Sequence, residues 1–365
     1  MYHYVRLFAS QAMRCSRWHL RDPRTSPERP SILLLVLESN PRMRNWLPTS
    51  VSTLALCVMT SGTLAQDVTL PSVIRIIVPQ APGGGTDVMA RAVAQQLGPR
   101  LGKTVIVENK PGASTIIGVA AVMNAPHDGS TLLFTSSSLT STAATLRNFQ
   151  YDVAKDLIPV AVVSDGPMLV IVSTKSGIKT PAELVARARA TPDTLTAGSA
   201  GVSSIGHLSV ELLNEVAKIR IRHIPYKGSA PAVMDVAAGS IDMHIGSGSA
   251  VAPGISTGRV IPIAVTSDRP SPSFPNLPTM ASAAPGYTAT IWYGLFAPAG
   301  TPPALVQRLN REVNEIAKTP QFAQILQMDG ATPLNATPEE LQRFVRDSYA
   351  TWKTLAQQKN IVVDQ

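Results

Sequence analysis

Apolar and polar positions switch between two periods along residues 73–135, and each switch marks an element. Val73-Ile74-Arg75-Ile76-Ile77-Val78 is a near-continuous β-branched run, the pattern of a strand covered on both faces. A turn follows from Pro79 to Gly85. Asp87 then opens a helix with Val88, Ala92, Val93 and Leu97 on one side, its end disturbed by Gly98-Pro99. Thr104 to Glu108 is the next strand. Strand, helix, strand in about 35 residues is a βαβ unit, so the sheet is at least partly parallel. Ala113 to Asn124 continues the alternation as a helix and Thr131 to Thr135 as a strand.

Val160 to Ser173 is long and apolar and reads as one strand leading into another through a turn at Asp165-Gly166-Pro167. A second βα series has strands near Leu195–Ala197, Ile219–Ile224, Ile241–Ile245 and Val260–Thr266. Pro270 to Pro285 is proline-rich and irregular, Tyr287 to Ala297 is again apolar, and two helices close the chain. Thr180-Pro181-Ala182-Glu183 and Thr337-Pro338-Glu339-Glu340 each place Thr at an N-cap, Pro at the first helical position and Glu three residues after the cap. Thr301-Pro302 begins another helix, with Leu305, Leu309, Val313 and Ile316 as its stripe; Ile205, Leu208, Leu212 and Val216 form a similar one. The expected topology is two α/β halves, with the chain crossing near residue 165 and returning near 290.

A length of 365 residues suits two such domains. With 44% hydrophobic and 15% charged residues, the chain has the composition of a packed globule. The net charge of +8 suggests nucleic acid until it is located. Residues 1–65 hold eight of the 32 basic residues and three of the 24 acidic ones, leaving 24 basic against 21 acidic beyond them. No basic stripe with interleaved aromatics occurs there, so nucleic-acid binding is not expected.

The N-terminal excess reads as targeting. Met43-Arg44-Asn45-Trp46 is a short positive start, Leu47 to Thr63 a mostly apolar stretch, and Thr63-Leu64-Ala65 has the small residues a signal peptidase reads. Residues 43–65 are thus expected to be a signal peptide cut after Ala65, and residues 1–42 an upstream extension from a start codon assigned too early. Pro48, Thr49, Ser50 and Ser52 break the apolar stretch, which makes it a poor membrane span. Both cysteines, Cys15 and Cys57, fall in the discarded part; the mature chain has no thiol for catalysis, disulfides or zinc.

Three loops carry candidate chemistry. Ala81-Pro82-Gly83-Gly84-Gly85-Thr86-Asp87 joins a buried strand to a helix start, where free N–H groups and the helix dipole favour an anion. It fails as a dinucleotide fingerprint, since Val88 stands at the third glycine position, and as a P-loop, since no Gly-Lys-Ser/Thr follows. Ser136-Ser137-Ser138 sits beyond the carboxyl end of a strand, where open α/β sheets bind ligands. Gly198 to His207 again joins strand to helix with Gly201, Ser203 and Ser204 in the turn, but no Gly-x-Ser-x-Gly elbow is present. His127, His207, His223 and His244 are scattered without metal-ligand spacing; His207 reads as a capping or packing residue and His244 as structural. No cofactor or metal is expected.

These segments together resemble the tripartite tricarboxylate transporter (TTT) substrate-binding proteins, the Bug receptor family. The resemblance rests on Ile74 to Pro79 with Pro82 to Asp87, Val107-Glu108-Asn109-Lys110-Pro111-Gly112-Ala113, Pro126-His127-Asp128-Gly129, Gly201 to His207, Ile224 to Pro231 and Gly294 to Pro302. Their order is the family's, and they span nearly all of residues 70–360. The resemblance implies a type II periplasmic-binding-protein-like α/β fold: two Rossmann-like lobes joined by two crossover strands, the ligand in the cleft between them. Lobe 1 is expected over 66–166 and 290–365, lobe 2 over 167–289. It also implies a periplasmic monomer that captures a small carboxylate (a di- or tricarboxylate, acidic amino acid or aromatic acid), holds it by backbone groups and hydroxyls rather than an arginine clamp, and hands it to integral-membrane transporter subunits. The alternatives are a receptor that reports to a sensor kinase, or a hydrolase on the same fold, for which no positioned nucleophile is visible. The candidate ligand residues are Ala81, Gly83, Gly84, Gly85, Thr86 and Asp87; Ser136, Ser137 and Ser138; Gly201, Ser203 and Ser204; and Tyr226. Two positions depart from the family near the expected pocket: Gln80 replaces an aromatic, and Leu139 to Ala143 replaces a His and an Asn-Pro pair.

Overall fold

The computed structural model describes residues 70–146 and 151–358. The upstream extension and signal peptide expected over residues 1–65 lie outside the described residues.

The first half of the chain builds β1 (Val73–Val78), α1 (Gly85–Leu101), β2 (Thr104–Asn109), α2 (Ile116–Met123), β3 (Thr131–Ser136), α3 (Ser138–Thr145), the short α4 (Val153–Asp156) and β4 (Leu157–Pro167). Next come β5 (Leu169–Ser173), α5 (Pro181–Ala190), β6 (Thr196–Ser199), α6 (Ile205–Ala217), β7 (Arg222–Pro225), α7 (Ser229–Ala238), β8 (Met243–Gly246), α8 (Gly248–Ser256) and β9 (Val260–Val265). The chain ends with β10 (Thr290–Pro298), α9 (Pro303–Ala317), α10 (Pro320–Asp329), β11 (Thr332–Leu334) and α11 (Pro338–Gln358).

Two sheets result. One is ordered β11-β4-β10-β3-β1-β2, the other β7-β6-β8-β5-β9. Strands linked by a helix pair parallel (β1 with β2 and β3, β6 with β7 and β8), as right-handed crossovers require. β10 runs antiparallel to β3 and β4, and β5 antiparallel to β8 and β9. The inner strands are buried along most of their length, which explains their unbroken apolar runs.

The chain passes from one sheet to the other at Met168 and returns through residues 266–289. Thr266 ties the two passages together. Its hydroxyl accepts from Met168 N–H at 2.8 Å and donates to the Ala289 carbonyl at 2.7 Å, while its N–H reaches the Met168 carbonyl at 2.9 Å.

Three local expectations change. Asp165-Gly166-Pro167 is no turn but the end of β4, in register with Thr290 to Trp292 of β10. Gly166 serves close packing, since a Cβ there would stand 2.7 Å from Ala331 Cα. The helix expected from Ala113 begins as a 3-10 turn, Ala113–Thr115, with all three residues at positive φ, and becomes α2 at Ile116. α1 runs through Gly98-Pro99 to Leu101, because Gly102 in the left-handed region closes it with N–H contacts to the Gly98 and Pro99 carbonyls. The caps follow the sequence closely. Glu340 N–H donates to Thr337 Oγ1 at 3.3 Å while Thr337 N–H reaches the Glu340 carboxylate at 2.9 Å, a reciprocal capping box. Among the described residues, no helix is long and apolar enough to cross a membrane.

Candidate ligand site

Each sheet delivers its parallel strands to the same gap, so the helix starts that follow them face one another across it. The loop after β1 touches the loop before α7 directly: Ala81 N–H donates to the Lys227 carbonyl at 2.9 Å. A Cβ on Gly228 would stand 3.1 Å from Ala81, and one on Gly84 3.6 Å from Ser229 N. At the start of α3, Ser138 Oγ accepts from Ile205 N–H at 3.2 Å, and Ser141 Oγ donates to the Ser203 carbonyl at 2.7 Å. At the start of α8, Ser249 N–H donates to Asp329 Oδ1 at 2.5 Å. These contacts close the gap from three sides.

Between them lies a cavity of about 20 Å³, about the room one water needs. Gly85, Ser138, Ile205 and Ser229, the first residues of α1, α3, α6 and α7, line it, together with Ser247, the N-cap of α8. Five helix starts thus border one cavity with their partial positive charge, although Ile205 N–H is already given to Ser138 and Ser249 N–H to Asp329. The remaining polar lining consists of Gln80, Thr86, Ser136 and Tyr293, and no charged side chain takes part. A site of this make-up prefers an anion and holds it with dipoles and hydroxyls. Ala200 lines both this cavity and a wider opening of about 570 Å³ at its mouth, bounded by Pro79, Ser114, Gly201, Tyr226 and Lys227 among others.

The glycine loop owes its shape to Asp87. That carboxylate accepts from Gly83 N–H at 3.0 Å, Arg91 Nε at 3.0 Å and Asn109 Nδ2 at 2.9 Å. Burial pushes its pKa up, but the hydrogen bonds from Arg91, Gly83 and Asn109 outweigh this and hold it below the usual carboxylate range. Asp87 is therefore committed inside the chain, and Gly83, at φ +82°, supplies the left-handed turn that lets the loop fold over it. Gly85 brings the start of α1 against two hydroxyls, since a Cβ there would lie within 2.4 Å of both Tyr293 and Ser247. Thr86 Oγ1 donates to Gln80 Oε1.

The serine run divides. Ser136 and Ser138 line the cavity, whereas Ser137 lines a separate cleft with Asp165 and Trp292. In the loop after β6, Ser204 caps α6 by accepting from His207 N–H at 3.4 Å and donates to the Gly201 carbonyl at 2.6 Å. Ser203, at φ +61°, sends its carbonyl to Ser141 and its N–H to His207 Nδ1. The structure thus brings Gly85, Thr86, Ser136 and Ser138 to the inner cavity and Gly201 and Tyr226 to its mouth. Ala81, Gly83 and Gly84 shape the wall, Asp87, Ser203 and Ser204 brace it, and Ser137 lies outside. Tyr226 presents no free hydroxyl: it donates to Asp235 at 2.6 Å, and burial with that carboxylate pushes its pKa up to about 12.

Gln80, Gly206, Ser229, Ser247 and Tyr293 complete the cavity. Ser229 and Ser247 follow strand ends before helices, the signal already used for the other loops. Tyr293 sits inside the apolar run of β10 and has no sequence signal, because its position depends on which strand β10 joins.

Two histidines stiffen the loop after β6. His207 and His223 stack with ring centroids 3.7 Å apart, and His223 Nε2 lies 2.6 Å from Ser199 Oγ. Burial, then His207, pushes the His223 pKa down to about 3. Burial likewise pushes His244 to about 4, with Nδ1 2.8 Å from the Gly198 carbonyl. Both stay neutral in the fold, so below pH 6.5 the folded state binds fewer protons than the unfolded one, and stability falls as pH drops toward 4. The melting temperature is expected to decline steadily from pH 7 to pH 5, with a shallower slope in His223→Gln. An unchanged slope in His223→Gln would show that this ring is not held neutral.

A two-lobed α/β frame with an anion-seeking cleft between its sheets is the architecture of a solute-binding protein. The profile of the family described as "Tripartite tricarboxylate transporter family receptor" matches residues 89–361, and the chain belongs to that family. Its fold is similar to that of the periplasmic binding protein BugD (32% identity, TM-score 0.76, covering 80% of this chain and 99% of that one). It is equally similar to Rpa4515 of R. palustris with adipate (32% identity, TM-score 0.77, 81% and 100%). MatC of Rhodopseudomonas palustris, with bound malate, is 27% identical with a TM-score of 0.74 over 78% of this chain and 99% of that one.

Proposed function

We propose that this protein is a periplasmic receptor that captures a small carboxylate between its lobes and delivers it to the membrane subunits of a tripartite tricarboxylate-type transporter, with no chemical turnover. The observation that carries this reading is the cavity itself: five helix N-termini converge with serine hydroxyls and no cation competes for the charge. One carboxylate would sit there, and the rest of the molecule would extend past Ala200 into the opening beside Tyr226 and Lys227. Relatives that hold adipate and malate support a dicarboxylate of about four to six carbons. Residues 66–166 and 290–365 would form one lobe and 167–289 the other, after removal of the signal peptide at Ala65.

Thermal unfolding of the purified protein against mono-, di- and tricarboxylates, acidic amino acids and aromatic acids tests this. A ligand at a hundred times its dissociation constant stabilises the folded state by about 2.7 kcal/mol. At least one dicarboxylate is expected to raise the melting temperature, and the double variant Ser138→Ala/Ser247→Ala to lose most of that rise. If a folded, ligand-free preparation responds to no acid, the reading fails. Delivery is tested separately, by uptake of the same acid into cells with and without the receptor.

A further inference from the structure

A second cleft, with a different set of lining residues from the carboxylate cavity, is bordered by β10, α11 and the start of α3. Its volume is about 440 Å³, within the range of small-molecule sites. Asp165, near the end of β4, lies in one wall, and the indole of Trp292 lies in the same cleft. Phe344 and Trp352 of α11 and Leu212 of α6 also line it. The walls are mainly apolar and aromatic, yet two buried polar atoms of the lining residues have no partner. Ser137 is 1% exposed and its hydroxyl makes no hydrogen bond, and Asp165 Oδ1 is buried with none.

The Asp165 carboxylate is the unusual group. Burial pushes its pKa above the ordinary range, the Gly166 N–H is the one group that opposes this, and among the described residues no Lys, Arg or His pairs with it. A carboxylate taken from water without a counter-charge is costly for the fold. The one other ionisable side chain in the cleft, Asp347, is also acidic; it is exposed and lies 3.7 Å from Arg346. Aromatic faces beside an unpaired carboxylate are the arrangement that attracts an organic cation, by charge and by the ring quadrupoles together.

We propose that this cleft binds a small organic ammonium ion, with Asp165 as its counter-ion, Trp292, Phe344 and Trp352 around its apolar part, and the Ser137 hydroxyl accepting one N–H. The site is separate from the carboxylate cavity and does not depend on the function proposed for it.

The probe is benzylammonium at pH 7.5, followed by calorimetry on the full protein, with benzyl alcohol as its uncharged counterpart. Binding of the ammonium at least tenfold tighter than the alcohol is expected. Asp165→Asn should bring the two to the same level, and Ser137→Ala should weaken the ammonium severalfold. Asp165→Asn removes an unpaired buried charge and keeps the shape, so it should fold; near-ultraviolet circular dichroism verifies this. In the parent protein, the Trp292 indole N–H, which donates to Ser348 Oγ at 3.1 Å, should shift in the NMR spectrum on titration. Equal binding of ammonium and alcohol, retention of ammonium binding in Asp165→Asn, or no binding together with an unmoved indole signal would each overturn the proposal.

Discussion

Gly248→Ala is expected to remove most of the carboxylate-induced stabilisation while leaving the empty protein folded. A Cβ at this position, the first residue of α8, would stand 1.9 Å from the Met328 carbonyl oxygen and 3.2 Å from Asp329 Cα. Backbone atoms cannot turn aside as a side-chain tip can. α8 follows the second sheet and α10 the first, so the lobes themselves must separate. Separation of the lobes would relieve the conflict, and alanine suits the first turn of a helix. Its unfolding free energy without ligand should therefore stay within about 0.5 kcal/mol of the parent. Loss of closure should weaken the ligand by about a hundredfold or more. At a concentration that stabilises the parent by about 2.7 kcal/mol, the variant should gain only about 0.4 kcal/mol. Calorimetry and thermal unfolding on the same samples read both quantities. Affinity within threefold of the parent would show that closure does not pass through this contact.

Asp329→Asn should raise stability at neutral pH. The carboxylate caps the start of α8 through Ser249 N–H and lies near the Tyr293 hydroxyl, with no ion pair to a basic side chain among the described residues. Burial pushes its pKa up to about 6, more than the Ser249 N–H and hydroxyl can offset. The folded state therefore binds more protons than the unfolded state between about pH 4 and pH 6. Stability from this group is lost as pH rises through that window, and the penalty is fully present above it. A shift of this size corresponds to about 3 kcal/mol. The positive end of α8 offsets part of it, so Asn, which keeps the acceptor and removes the charge, should gain about 1–2 kcal/mol at pH 7.5. The neutral histidines slope the other way with pH, so the informative quantity is the variant minus the parent. That difference should vanish near pH 4 and grow toward pH 7. A variant no more stable than the parent at pH 7.5, with an unchanged pH slope, would remove Asp329 from the balance of closure.

Much of the site was readable as strand-to-helix junctions, because the same physics recurs at each. A buried β-branched run ends, a small or hydroxyl residue breaks it, and a helix begins with its N–H groups free. Gly85, Thr86, Ser136 and Ser138 were found that way. The same signal stands at Ser229 and at Ser247, the latter within Gly246-Ser247-Gly248-Ser249, but which of these strand ends share one gap is set only by the order of the strands in the two sheets. Asp87 carried chemistry on paper, but its three donors are Gly83, Arg91 and Asn109, the last on another strand, and sequence spacing does not reveal that it is already occupied. Adjacent serines also part company. Ser137 and Ser138 lie at the start of one helix, where successive residues point about 100° apart, so one lines the cavity and the other the second cleft.

By itself the sequence determined the local elements, the parallel βα order, the caps and the resemblance of its loops to one receptor family, because these depend on neighbours a few residues apart. Only the tertiary structure decided that Asp165-Gly166-Pro167 is strand and that Tyr293 reaches the cavity, that Gly248 must lack a Cβ and that Asp165 is left without a counter-charge. Each depends on residues far apart in sequence that meet only in the folded chain, as when β10 pairs between β3 and β4 or the end of α10 meets the start of α8, and burial, the quantity that shifts a pKa or forbids a methyl group, does not exist until they meet.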